Sequence, residues 1–320
     1  MPTKLPSNGT LWRTDELLAS GLNSRAISRL VREAVLVRLR RGCYARGDWW
    51  QGLNGPARRR QLISAHALGT QTTSAGGFVY SHVSGAGLHG LQLWKVDDRV
   101  HLTQKGCPSV ISHGRDVVAH TRRLEIHEVC VVDGLPCTSL ERTVVDCCLM
   151  FTVPQAVILI DHAARLGADL GMIRARCCAM AGRNGVVALR RALELVDPRS
   201  ESAGESLTRE LLHRLGIRPP ELQYSVMTPL GEYRMDFAWP EVKVALEFDG
   251  RSKYFDYRPT GEVLFAERQR EKELMEQGWT FLRIEWKHLF NEVEFKYRVL
   301  RALNRGAGAD SLPFRRPVAG

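Results

Sequence analysis

Between Tyr233 and Tyr254 apolar and polar positions alternate with the two-residue period of β-strands. Asp236 stands between Met235 and Phe237 on a first strand, and Trp239-Pro240-Glu241 supplies a turn. On the second strand Val242, Val244, Leu246 and Phe248 face one way. Lys243, Ala245, Glu247 and Asp249 face the other, and the strand stops at Gly250. A helix over Glu205–Gly216 precedes this hairpin. A second helix, Glu262–Gly278, follows it and leads into a strand over Trp279–Trp286.

Near the N-terminus the period becomes helical. Thr14 is placed to cap a helix over Asp15–Ala19, residues 20–23 form a glycine-centred turn, and Ser24 caps a second helix over Arg25–Ala34. There Ile27, Leu30 and Val31 point inward, while Arg25, Ser28, Arg29 and Arg32 share the opposite face. Leu36–Ala45 reads as a strand, a turn at Gly42 and a return strand, a wing carrying Arg38, Arg40 and Arg41. Arg58-Arg59-Arg60 then open a helix running to Ala67, a phosphate clamp or a solvated helix start. Short strands are expected at Val100–Thr103, Val117–His120 and Glu125–Val132, with a turn at Gly134–Cys137. Thr138 or Ser139 caps a helix through Asp146, on which Arg142 and Asp146 form an i,i+4 pair. Further helices are expected at Pro154–Leu166, Leu170–Ala181 and Val186–Leu195.

These patterns predict an α+β or α/β chain: a winged helix-turn-helix over 1–60, an α+β module over 61–196, and an α/β domain with a central mixed sheet over 201–305. A polar, proline-bearing boundary at Asp197–Gly204 separates the last two, and a disordered tail is expected over 306–320.

Charge sharpens the picture. The net charge is +10, and residues 1–60 hold 12 Lys and Arg against 4 Asp and Glu, whereas residues 201–320 hold 19 of each. A cationic terminal segment with an Arg/Ser helix face suits duplex DNA, arginine for guanine edges and phosphates and serine for either. No run approaches the roughly 18 apolar residues of a membrane span, and the N-terminus has no apolar core for a signal peptide, so a cytoplasmic protein without a membrane partner is expected. The eight cysteines all lie before Met180 and include no C-x-x-C, which predicts free, buried thiols rather than a zinc site. His82 and His89 stand seven apart with no third ligand following, and read as structural histidines.

The candidate chemistry lies on the hairpin. Carboxylates meeting at adjacent strand ends form a hard, oxygen-lined site of the kind that holds Mg²⁺ or Mn²⁺ against a phosphate. Asp236, Glu247 and Asp249 are the candidate metal ligands, with the Phe248 carbonyl beside them. D-x(10)-E-x-D-G on a hairpin, between the two helices and the strand named above, resembles the PD-(D/E)XK nuclease superfamily, and is closest to the branch resembling very-short-patch repair endonucleases. The resemblance covers about residues 201–305. It implies a restriction-endonuclease-like fold, metal-dependent DNA hydrolysis and a further acidic contact from Glu205. The superfamily's E-x-K is Glu247-Phe248-Asp249 in this chain, so the lysine is absent from its place. Lys243 stands roughly 13 Å back along a strand, too far away. Lys253 is preferred as the catalytic lysine, with Arg268 or Arg270 as phosphate contacts.

Residues 9–50, with Gly42-Cys43-Tyr44-Ala45, resemble the N-terminal domain of AbiEi-type antitoxins of type IV toxin–antitoxin systems, and the middle module resembles the segment that follows it in antitoxin-like regulators. A toxin partner, a homodimer and autorepression are what that resemblance implies. Three functions are thus in view: a DNA-cutting enzyme, a non-enzymatic repressor on a degenerate nuclease fold, and an RNA-directed protein. The first is preferred; the third suits a winged helix least.

Overall fold

The computed structural model describes residues 5–6, 9–70, 77–104, 114–229, 231–250 and 261–307. It has a mixed α+β architecture that divides into two compact units, Met1–Glu194 and Leu195–Gly320.

The first unit begins with β1 (Leu11–Arg13), α1 (Thr14–Ala19), α2 (Ser24–Arg32), β2 (Leu36–Arg40) and β3 (Cys43–Arg46). The strands form an antiparallel sheet in the order β1-β3-β2. Trp12, Leu17, Leu22, Ile27, Leu30 and Leu36 make one core beneath it, because the helical period of α1 and α2 turns Leu17, Ile27 and Leu30 to the side that meets Trp12 and Leu36 of the strands. Two expected caps are displaced by one residue. Arg13 is the N-cap of α1, its amide donating to the Glu16 carboxylate at 2.6 Å, and Asn23 caps α2, its Oδ1 accepting the Ala26 amide at 2.9 Å. Thr14 and Ser24 are instead the first helical residues. A side-chain oxygen one position earlier reaches the orphan amides of the first turn in α2, and asparagine serves there as well as serine. Helix α2 stops at Arg32, short of the expected Ala34, which has φ +56°.

There follow α3 (Gly47–Gly52), α4 (Gly55–Thr70), β4 (Phe78–Tyr80), α5 (His82–Leu88), β5 (Val100–Gln104), β6 (Val117–Thr121), β7 (Val129–Val132), β8 (Leu135–Thr138), α6 (Leu140–Cys148), α7 (Val153–Arg165), α8 (Leu170–Ala179) and α9 (Val186–Leu195). The five strands build a mixed sheet in the order β6-β5-β4-β8-β7. Its core holds Ile63, Tyr80, Leu88, Val100 and Cys137. Ser139 caps α6 by accepting the Arg142 amide. The arginines near the start of α4 lie at the surface, Arg58 exposed and Arg59 and Arg60 half-buried, and each is held by a neighbour. Arg58 donates to the Trp50 and Gln51 carbonyls, Arg59 pairs with Asp98 at 3.3 Å, and Arg60 pairs with Asp133 at 2.6 Å. The described cysteines are free thiols, and Cys43, Cys137, Cys147, Cys148 and Cys177 are buried; Cys107 lies outside the described residues.

The second unit contains α10 (Ala203–Arg214), β9 (Glu221–Thr228), β10 (Gly231–Trp239), β11 (Val244–Asp249), α11 (Gly261–Glu276), β12 (Thr280–Glu285), α12 (Trp286–Leu289) and α13 (Glu292–Gly306). Its sheet runs β12-β11-β10-β9: β9–β10 and β10–β11 are antiparallel and β11–β12 is parallel. Tyr233, Met235, Ala238, Ala245, Leu274 and Trp279 pack on one another. The hairpin turn is longer than expected. Pro240–Val242 form a single 3₁₀ turn that Lys243 closes at φ +50°, so Val242 and Lys243 drop out of the strand and the alternation starts at Val244. No helix among the described residues is long and apolar enough to cross a membrane. The expected tail lies, from residue 308 onward, outside the described residues.

Candidate functional site

The second unit's sheet brings Asp236 and Glu247 together at the open end of the β10–β11 ladder. Phe237 pairs with Leu246, and one step further Asp236 Oδ2 accepts the Phe248 amide at 2.8 Å, so a side chain takes over where the backbone pairing ends. Burial raises the Asp236 carboxyl above the ordinary carboxylate range, and the charge of Glu205 raises it further; the Phe248 amide acts the other way. Glu247 is raised still more strongly, by burial first and then by Asp236, against a lowering by Arg283. Its Oε1 is buried with no hydrogen-bond partner.

Glu205 is delivered by the first turn of α10, whose N-cap Ser202 accepts the Glu205 amide. The Glu205 carboxylate accepts from the Glu201 amide at 2.8 Å and from Gln223 Nε2 at 3.0 Å. Gly204 makes this delivery feasible, since a Cβ there would stand 1.9 Å from Phe248 Cε1. The Phe248 ring cannot easily yield, because it packs edge-on against Trp286 with ring centroids 5.2 Å apart.

Asp249, half-buried, closes β11 in register with Glu285. Lys253 lies outside the described residues, as does the side chain of Arg268 on α11. Arg270 donates to the Glu232 carbonyl at 3.3 Å, tying α11 to β10. Lys243 donates to the Gln277 carbonyl at 2.9 Å, and Lys272 stands 3.8 Å from Glu276. Arg283 is a further residue of this site that local sequence pattern does not single out. It stands in register with Glu247 on the neighbouring parallel strand and pairs with Glu271 of α11. A signal was present, a lone cation inside the apolar strand Trp279–Trp286, but parallel register cannot be read from one strand. Among the described residues no group of three or more His, Cys, Asp or Glu side chains is gathered to hold a metal ion.

The candidate DNA-contacting residues lie on the first unit. Arg25, Ser28, Arg29 and Arg32 are exposed along α2, opposite buried Ile27 and Leu30. Ser28 Oγ donates to the Ser24 carbonyl and Arg29 stands 4.0 Å from Glu33. Arg38 and Arg41 are exposed on the β2–β3 hairpin. Arg40 differs: it is half-buried and stands 3.6 Å from Asp116.

No protein-family model matches the chain. The uncharacterized proteins MT2308 and Rv2248, from two strains of Mycobacterium tuberculosis, are each 32% identical to it over 155 residues, 48% of this chain and 56% of theirs. The chain thus spans little more than half the length of the curated relatives it matches. The crystal structure of RV2827C from Mycobacterium tuberculosis aligns over 69% of this chain and 84% of its own at 15% identity, with a TM-score of 0.35, a likeness too loose to carry an argument.

Proposed function

We propose that the chain binds double-stranded DNA through its first unit and hydrolyses DNA phosphodiester bonds at the Asp236–Glu247 pair, with Mg²⁺ or Mn²⁺. In this reading α1, α2 and the β2–β3 hairpin act as a winged helix-turn-helix, and α10, β9–β12 and α11 as a restriction-endonuclease-like fold. The observation that carries it is the half-buried acid pair: two carboxyls raised by partial burial and by acidic neighbours, with the Glu247 Oε1 atom itself buried and unpartnered. A hard divalent cation is what relieves such an arrangement.

Asp236 and Glu247 would hold the ion, with the Phe248 carbonyl as a further oxygen and Glu205 at longer range. Such an ion would neutralise the scissile phosphate and lower the pKa of a bound water. Phe248 orients Asp236 through its amide, and Arg283 brings positive charge beside Glu247. An arginine stabilises phosphate charge but does not carry protons at neutral pH, so it replaces half of what the missing lysine would do. Asp249 at that lysine's place favours a second reading, a DNA-binding repressor on an inactive nuclease fold. Incubating the full chain with supercoiled plasmid and Mn²⁺ or Mg²⁺ tests the two. Nicking that EDTA and Glu247→Ala both abolish is the expected result. Intact plasmid at all metal concentrations favours the repressor.

A further inference from the structure

A cavity of about 390 Å³ opens in the first unit beside α5, β6 and α6 and the turn before α9, within the size range of small-molecule sites. Its polar lining comes from His82, His120, Arg122, Asp146, Arg183 and Asn184, and Leu149 and Met150 give it an apolar wall. We propose that this cavity binds a small phosphate-bearing ligand of nucleotide size, its phosphate held between Arg122 and Arg183.

The site is built rather than incidental. His82 adopts φ +50°, a left-handed conformation uncommon outside glycine that histidine enters more readily than most side chains, and its surroundings hold it there. Ser81 Oγ lies 2.9 Å from His82 Nδ1, and the His82 ring stacks on His120 with centroids 3.6 Å apart and planes 13° apart. His120 Nε2 is 3.1 Å from His101 Nδ1, and His101 Nε2 is 3.2 Å from Asp97, so a chain of hydrogen bonds fixes the cavity-lining imidazole. Gly185 presses the turn bearing Arg183 against α6: a Cβ there would stand 1.9 Å from the Leu149 carbonyl oxygen.

The charges then select the ligand. Burial, reinforced by neighbouring positive groups, lowers His82 to about 2 and His120 to about 4, so both are neutral hydrogen-bonding groups at pH 7. Asp146 would repel an anion if its charge stood alone. It does not: Arg142 Nε donates to it at 2.8 Å, and Glu128, which shares Arg142, is balanced by its own pairing with Arg176. Arg122 and Arg183, both exposed, have no ion-pair partner among the described residues. Two guanidinium forks match phosphate oxygens, the imidazoles suit hydroxyls or a remaining phosphate oxygen, and Leu149 and Met150 accept a planar, less polar body.

The test uses the full chain in EDTA, titrated calorimetrically at pH 7 with a nucleoside monophosphate, with inorganic phosphate and with the matching nucleoside. The monophosphate should bind, phosphate should bind more weakly, and the nucleoside should give no measurable heat. Arg122→Gln and Arg183→Gln should each weaken monophosphate binding about tenfold or more, the scale of one charge-assisted contact. Arg123→Gln removes a charge next in sequence that is engaged with Glu125 at 3.1 Å, and should leave the Kd unchanged. Arg29→Ala on α2 should also leave it unchanged. Absence of binding by both phosphate and monophosphate would overturn the proposal. So would binding that survives the Arg122→Gln/Arg183→Gln pair, or binding that Arg29→Ala alone abolishes.

Discussion

Glu247 ends its side chain in the sheet with Oε1 unpartnered, its proton affinity raised by burial and by Asp236, while Asp236 is raised by burial and by Glu205. The folded protein therefore holds protons that the unfolded chain releases near the ordinary carboxylate value of about 4. The stability this contributes is full below that value and is lost as pH rises through the raised folded values. Removing the ionisable group isolates the effect. In EDTA, Glu247→Gln should gain on the wild type as pH rises from the ordinary carboxylate range upward, by about 1–3 kcal/mol, the cost of an uncompensated buried polar group. Urea melts at several pH values measure this; a gap that stays flat or narrows would contradict it. Ligation needs the deprotonated acids, so Mn²⁺ should raise the wild-type Tm more at higher pH and should not raise that of Glu247→Gln.

At the scale of elements, what positions the acid pair is the approach of α10 to the end of β11. Gly204 stands where a Cβ would enter the Phe248 ring, and that ring also packs edge-on against Trp286. Gly204→Ala gains up to about 1 kcal/mol of helix propensity, but overpacking at a site that cannot yield costs roughly 1–3 kcal/mol. The net effect expected is a lower Tm together with a weaker Mn²⁺-dependent shift, because the displaced Phe248 also carries the amide that orients Asp236. A variant as stable and as metal-responsive as the wild type would show that the contact relaxes freely. The same kind of close packing fixes the start of β11. Lys243 turns left-handed and donates to Gln277, which spends the nearest upstream lysine on the far end of the strand.

Each of the two units has its own core, and the proposed docking face and the proposed catalytic pair fall in different ones. Binding and chemistry should therefore be separable by single substitutions in the full chain. Arg29→Ala should weaken duplex binding by about 1–3 kcal/mol if Arg29 reads a base, and less if it meets a phosphate. Binding should also fall steeply as salt rises. Asp236→Ala should leave that affinity intact while abolishing nicking. Fluorescence anisotropy over a salt series, run beside the plasmid assay, measures both. Affinity that is flat with salt, or lost in Asp236→Ala, would contradict the separation.

Local pattern was enough for most of the elements. The helical face of α2, the β2–β3 hairpin, the helices from α6 to α11 and the β10–β11 hairpin follow from periodicity and turn residues, because those signals depend on neighbours a few positions away. That Asp236 and Glu247 lie on adjacent strands was legible for the same reason, but their register was not: a turn at 239–241 would set Asp236 against Val244, and only the longer turn closed by Lys243 brings it level with Glu247. Other features depended on contacts distant in sequence. β1 and β9 are short or mixed in pattern and become strands by pairing with β3 and β10. Arg283 reaches Glu247 through a parallel pairing that only the assembled sheet defines, and Arg40 turns toward Asp116 rather than standing free on the hairpin. The histidine cluster was least legible: His82, His101 and His120 come from three separate elements. Each looks like an ordinary core histidine until the five-stranded sheet stacks them beside a cavity whose arginines lie on still other segments. Periodicity reports which face of an element is buried; which faces meet is decided by long-range packing.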